Sequence, residues 1–166
     1  MNYAKIIELE GLQLAKVSFY TVWIEENDNP EFIDFVGRMK LSVKNKVEIA
    51  ELIKFIVEIG NNYGALDKDF HFEASAHALS LRHIEINPDN NDFGLRLYCL
   101  RLSESVVILF NGDRKTAKKA QDCPNCAKYF GFAQRFAKVI DTAIREKDVI
   151  SVRKKLIFDN DFDIIF

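Results

Sequence analysis

The sequence predicts an α+β domain: an antiparallel central sheet, an N-terminal helical hairpin packed on one face, a long C-terminal helix and a final strand. Three observations predict it. Short β-branched and aromatic runs recur along the chain. Two adjacent segments between them carry apolar residues at helical spacing. A third, longer helical stripe follows the last strong strand pattern. At 166 residues, 48% hydrophobic and 29% charged, the chain has the length and balance of one folded domain spanning 1–166.

The first elements are strands. Tyr3 to Leu9 and Lys16 to Ile24 are rich in Ile, Val, Phe and Tyr, with Gly11 as the turn point between them. In the second, Val17, Phe19, Thr21 and Trp23 alternate with Ser18, Tyr20, Val22 and Ile24, so both faces are largely apolar and the strand should be covered on both sides. Asn29-Pro30 marks a helix start, with Asn29 as N-cap and Pro30 in the first helical position. Phe32, Phe35, Val36 and Met39 then form one stripe. Ser42 caps a longer helix to about Ile59, stopped at Gly60, with an apolar stripe that includes Val43, Val47, Ile49, Leu52 and Ile56. Lys44–Glu48 and Lys54–Glu58 have the spacing of ion pairs on its wet side.

Asn61 to Phe70 is polar and reads as a loop. Ala78 to Ile86 follows as a strand, then the turn-rich Asn87-Pro88-Asp89-Asn90-Asn91-Asp92. Leu95 to Leu102 and Ser105 to Asn111 are strong strand patterns separated by little more than Ser103-Glu104, which predicts an antiparallel hairpin. A two-residue loop sets Arg96 and Tyr98 on one face, opposite Asn111 and Leu109. It leaves Leu97, Cys99, Val106, Ile108 and Phe110 for the other. After Arg114-Lys115-Thr116-Ala117-Lys118-Lys119 comes a helix capped by Asp122, striped by Ala127, Phe130, Ala133, Phe136, Ala137, Ile140 and Ile144. A last strand lies at Leu156–Phe158 or Asp163–Phe166, with the acidic DNDFD as a turn.

Composition narrows the function classes. No apolar run approaches the ~20 residues that span a bilayer, and Lys5, Glu8 and Glu10 interrupt the N-terminus, which reads as a strand rather than a secretory signal. With three cysteines and no export signal, a reducing, cytoplasmic setting is the expectation. The net charge of -2 conceals segregation. Arg114 to Lys155 holds 12 Lys and Arg against 4 Asp and Glu, a balance of +8, while the rest of the chain balances at -10. Such a block fits a phosphate-bearing partner, or simply a solvated helical face. Cys123-Pro124-Asn125-Cys126 is a CxxC. A structural zinc site needs four ligands, and Cys99 with His83 or His71 has no supporting spacing. A redox pair at a helix start is the other chemical reading, without the usual βαβ context. Structural cysteines are the simplest, so neither metal nor cofactor is expected.

The residues from Glu31 to about Lys138 resemble the RelE/HigB-type toxins of bacterial toxin–antitoxin pairs, including phage-derived toxin-like proteins. Glu31-Phe32-Ile33-Asp34-Phe35, with Leu52-Ile53-Lys54-Phe55-Ile56, is similar to the family's helical hairpin, and Ser80-Leu81-Arg82-His83-Ile84 to its strand with a leading Leu-Arg pair. Gly94-Leu95-Arg96-Leu97-Tyr98, then Val106 to Gly112 and Arg114-Lys115-Thr116, resembles its central sheet. There an Arg-bearing strand and an apolar strand lead into a Lys-Lys-Thr-like segment. The match covers about two-thirds of the chain. The acidic balance and the N- and C-terminal additions depart from the family's compact, basic pattern and put catalysis in doubt more than fold.

The resemblance implies helices on one face of a compact sheet and a basic groove on the other. It further implies mRNA cleavage on the ribosome or, in some relatives, inhibition of gyrase, and silencing by a cognate antitoxin. Metal-free RNA cleavage needs a base for the ribose 2′-OH, a cation over the phosphate and an acid for the leaving oxygen. Arg96, Arg82 and Lys115 are the candidate phosphate-binding and catalytic residues, since arginine donates bidentate hydrogen bonds and stays charged. Tyr129, near the start of the last helix, is the candidate acid or base by position. Tyr98 is the candidate base-stacking residue, and Arg114, Lys118 and Lys119 add backbone attraction. Each has a plainer reading: Arg96 pairing with an acid across the sheet, the lysines in a solvated loop, Tyr98 packed in the core. His83 should point away from Arg82, and His71 and His77 fall in the loop region. The alternative function is a non-catalytic toxin-like binding module, acting on a protein such as gyrase or persisting as a mobile-element remnant. The third is an unrelated α+β interaction protein.

Overall fold

The computed structural model describes residues 1–81 and 88–166. The Arg82 and His83 assignments, and most of the Ala78–Ile86 strand, lie outside the described residues. The fold is mixed α+β with a largely antiparallel sheet. In chain order come β1 (Tyr3–Gln13), β2 (Ser18–Ile24), α1 (Glu31–Met39), α2 (Val43–Glu58), β3 (His71–Glu73), β4 (Ala76–Leu79), β5 (Leu95–Arg101), β6 (Val106–Arg114), α3 (Ala127–Arg145), β7 (Val149–Val152), β8 (Lys155–Phe158) and β9 (Ile164–Ile165). The two helices α1 and α2 thus follow two strands rather than opening the chain.

Seven strands form one sheet in the order β3-β4-β5-β6-β2-β1-β9, and β7-β8 form a separate hairpin. All neighbours are antiparallel except β2 and β6, which run parallel from Ser18↔Val106 to Thr21↔Leu109. Both sheet faces are covered. Val17 just before β2, Phe19 of β2, Leu97 and Cys99 of β5, and Val107 and Leu109 of β6 pack with Phe35, Met39, Ile49, Leu52 and Ile56 of α1 and α2. Tyr20 and Val22, Tyr98 and Leu100, and Val106, Ile108 and Phe110 pack on the other side with Ala133, Phe136, Ala137 and Ile140 of α3. The two-sided apolar pattern of β2 reflects this layering. The face that the resemblance assigns to an open groove is instead largely occupied by α3.

Several boundaries differ from the sequence reading for local reasons. β1 passes through Gly11, and the chain reverses at Leu14–Val17, where Leu14 N–H donates to Val17 O at 2.9 Å. Pro30, not Asn29, is the N-cap of α1, and no side chain caps it. Ser42 caps α2 as expected, accepting from Asn45 N–H. That helix does not stop at Gly60: it passes into one π-helical turn, Ile59–Tyr63, and ends at Gly64 with φ at 80°. Gly60 O within that turn accepts from the Lys16 and Val17 amides at 2.7 and 3.1 Å. Val43 and Val47 are exposed rather than core. His71 and His77 lie on strands, and His77 Nδ1 accepts from the Arg101 amide at 3.2 Å. Asp122 belongs to a short 3-10 turn, and Cys126 is the N-cap of α3. Both proposed final strands exist, as β8 and β9.

The β5–β6 register departs most. A bulge between Leu97 and Cys99 sets Arg96 opposite Asp113, not Asn111, and Leu97 opposite Gly112. A Cβ at Gly112 would stand 1.8 Å from Arg96 O, so only glycine permits that approach. Nearer the turn the loop spans Ser103–Ser105, one residue longer than expected, with Leu102 N–H donating to Val106 O at 3.0 Å. Leu100 therefore faces Ile108, and Val106, Ile108 and Phe110 share a face with Tyr98 rather than with Leu97.

Candidate functional site

The parallel pair determines where a crevice can form. β2 is followed by α1 on one face, and β6 by α3 on the other. Crevices outside the carboxyl ends of parallel strands arise where successive helices go to opposite faces. Beyond Thr21 and Leu109 the two strands no longer pair, although each continues. A polar cavity of about 310 Å³ sits in this split, lined among others by Glu31, Asp34, Arg38, Asn111, Lys128 and Tyr129.

Its side chains are held in one network. Asn111 Nδ2 donates to Glu31 Oε2 at 3.2 Å and to Asp34 Oδ2 at 3.0 Å, while its oxygen accepts from Arg38 Nη2 at 2.5 Å. Arg38 also donates to Asp34 at 2.8 Å, Asp113 at 2.9 Å and Gly112 O at 2.8 Å. Its guanidinium lies 4.5 Å from the Tyr129 ring centroid. Burial raises the pKa of Glu31, against the hydrogen bond from Asn111. Tyr129 therefore belongs to this network, where burial raises its own pKa. Sequence reasoning found Tyr129 alone here. The i,i+4 spacing of Asp34 and Arg38, and an asparagine ending an apolar strand, were the available signals.

A second cluster lies near the other sequence-predicted residues, where β5 and β6 meet the start of α3. Lys115 extends the strand ladder by one step, its N–H donating to Gly94 O at 2.9 Å. Its ammonium is 5.6 Å from the Phe93 ring centroid. Burial lowers its pKa, and the nearby Arg96 charge lowers it further. Arg96 is half-buried and, among the described residues, makes one side-chain hydrogen bond, from Nη1 to Ser80 Oγ at 3.4 Å. Neither Arg96 nor Lys115 forms an ion pair among the described residues. The Arg96–Asp113 pairing that the register would allow is absent, because Asp113 binds Arg38.

Among the described residues, Arg96 Nε and the Tyr98 hydroxyl are the buried side-chain polar atoms without a hydrogen-bond partner. They sit on alternate residues of one strand and so face the same side. Tyr98 is fully buried, edge-on to Phe130 at 5.8 Å between centroids. In this conformation it is a packing residue with its hydroxyl at the cluster, not an exposed platform for a base. Arg114 is also removed from the candidate surface. It is bound by Glu48, by Asp92 at 2.7 Å and by Asn45 at 2.9 Å. The expected Lys44–Glu48 pair is replaced accordingly, and Lys44 pairs with Asp92. Lys118 and Lys119 are exposed beside the cluster in sequence.

The CxxC adjoins the same place. Both cysteines are buried, as is Cys99. Cys123 Sγ accepts from the Thr116 amide at 3.3 Å and lies 3.4 Å from its hydroxyl. Burial acts to raise its pKa, but the hydrogen bonds from Thr116 and Cys126 outweigh that and bring it to about 7. Burial pushes Cys126 up to about 12. Among the described residues, no group of three or more His, Cys, Asp or Glu is arranged to hold a metal, and no helix is long and apolar enough to cross a membrane.

The arrangement thus offers two kinds of chemistry at the start of α3. One is a carboxyl-rich network whose arginine is already satisfied. The other is a cationic pair with spare donors. Compared with protein-family models, with curated proteins and with solved structures, the chain matches none.

Proposed function

We propose that the chain is a toxin-like endoribonuclease that works without metal, with Arg96 and Lys115 gripping the scissile phosphate of an RNA. The observation that carries this reading is the orphaned donor Arg96 Nε on β5, next to a Tyr98 hydroxyl whose neighbour is the weakly bonding Cys126 thiol, beside a lysine with no carboxylate partner among the described residues. Buried donors are normally satisfied. A donor left over at one point beside two cations suits an anion with several acceptor oxygens. The lowered pKa of Lys115 suits it to proton transfer as well as charge stabilisation. Lys118 and Lys119 would add salt-sensitive attraction for the backbone. On the same reading, the protein acts in the cytoplasm, on ribosome-bound messages, and is silenced by an antitoxin.

A second reading is favoured by one observation. Helix α3 buries Tyr98, and the Arg38 network holds Tyr129, so neither the candidate stacking residue nor the candidate acid or base is presented openly to an RNA. A toxin-like module that binds its target without cutting fits that arrangement.

Inducible expression in a bacterial host, scored for growth and for cleavage of a reporter mRNA, separates the two. The ribonuclease reading expects arrest with cut mRNA, abolished by Arg96→Ala. It also expects Lys115→Arg to keep RNA binding while slowing cleavage. Arrest with intact mRNA supports the binding module. Normal growth at full soluble expression overturns both.

A further inference from the structure

We propose that the outer edge of β1 is a docking site for an extended segment of a partner protein whose side chains alternate between apolar and basic. The proposal concerns a surface separate from the Arg96–Lys115 cluster, on the far side of β6 and β2 from β5.

The open edge follows from the hydrogen-bond pattern. Asn2 and Phe166 exchange both backbone hydrogen bonds at 3.0 Å, and β9 pairs with β1 only at Tyr3 and Ala4. On the inner side, Glu25 N–H donates to Tyr3 O at 3.0 Å. Alternation along an antiparallel strand then points the N–H and C=O of Ile6 and Glu8 outward, past the end of β9. Among the described residues, no backbone hydrogen bond reaches Ile6 or Glu8 from that side. An uncovered strand edge of this kind is a template for another strand.

Beside the edge runs a trough of about 650 Å³, lined mainly by apolar residues such as Ile7, Leu9, Phe32 and Ile33, with Glu8 and Glu10 on the strand and the single cation Lys40 on the helix side. Ile33 is 45% exposed, and Tyr3 of β1 and Trp23 of the neighbouring β2 are each 41% exposed. A strand added at Ile6–Glu8 would lay alternate side chains into the trough. Main-chain bonds supply affinity and side-chain pockets supply selectivity in this mode of recognition.

Charge selects the occupant. Glu8 and Glu10 are exposed on the edge strand and form no ion pair among the described residues. A second copy pairing through β1 would bring its own Glu8 and Glu10 against these carboxylates, and like charges opposite one another destabilise a ladder. A segment carrying Lys or Arg at its outward positions meets them favourably.

The test uses the full chain and a fluorescent peptide of alternating Lys and Val, with an alternating Glu and Val peptide as control. Fluorescence anisotropy should show binding of the basic peptide alone, and amide exchange should slow at Ile6 and Glu8. Glu8→Pro removes an outward N–H and should weaken binding about tenfold. The Glu8→Lys/Glu10→Lys double variant should weaken it without touching the backbone. Ile33→Asp, on the outer side of α1, provides a variant that leaves β1 unaltered and should weaken binding through the trough. The proposal fails if the basic peptide does not bind, if binding leaves Ile6 and Glu8 unprotected, or if sedimentation shows the chain pairing with itself through β1.

Discussion

Arg38 Nη1 lies 2.9 Å from Asp113 Oδ2, a salt bridge that ties α1 to β6 beyond the point where β2 and β6 part. The same guanidinium serves Asp34, Asn111 and Gly112, so it closes the split end of the sheet with one side chain.

Arg38→Ala should therefore destabilise the fold by about 2 kcal/mol, because it removes the guanidinium that donates to Asp34, Asp113 and Asn111 at once. Urea denaturation, with the slope unchanged, checks this.

Glu31→Gln should act in the opposite direction at neutral pH. Burial raises the pKa of the Glu31 carboxyl above its unfolded value of 4.5. Its contribution is thus fully favourable below that unfolded value and is lost as pH rises through the folded one. The variant should be more stable than the parent at pH 7, and the advantage should shrink as the buffer approaches pH 4.5. An advantage that persists undiminished at low pH would contradict the burial argument.

Asp92 has the reverse sign. Lys44 first, then Gly94 N–H and Arg114, hold its carboxyl down at about 2, against 3.8 in the unfolded chain. Stability from this group is present above pH 3.8 and is lost as pH falls toward 2. After solvent screening, about 1 kcal/mol is at stake. Acid titrations of the parent and Asp92→Asn, followed by circular dichroism, should converge at the acid end.

Gly112→Ala should cost about 3 kcal/mol or more, since its Cβ would meet the backbone of Arg96 and no side chain can yield. If the variant stays folded, the shift should displace Arg96 and, on the proposed function, reduce RNA binding. Melting temperature and a nitrocellulose-filter assay read the two effects separately.

Periodicity made much of the layering legible. The stripes Phe32-Phe35-Met39 and Ala133-Phe136-Ala137-Ile140 predicted which faces of α1 and α3 are buried, and the two-sided pattern of β2 predicted a covered strand. The β5–β6 register was not legible, because alternation counts residues: the loop is one residue longer than Ser103-Glu104, and the bulge between Leu97 and Cys99 adds another. Exposed Val43 and Val47 show the same limit in a helix: an apolar stripe broader than its contact leaves residues in water. At the candidate cluster, the chemistry of Arg96 and Lys115 could be named from the sequence. The binding of Arg114 by Glu48 and Asp92 could not, since those partners come from remote segments. The Arg38 network escaped for that reason too.

The parallel pairing of β2 with β6 joins Ser18 to Val106, segments far apart in the chain. During synthesis, β1, β2, α1 and α2 leave the ribosome well before β6, so the inner edge of β2 waits unpaired. Contacts of such long sequence separation also slow folding. A nascent chain stalled before Val106 would thus display an apolar, adhesive strand until β6 arrives to cover it.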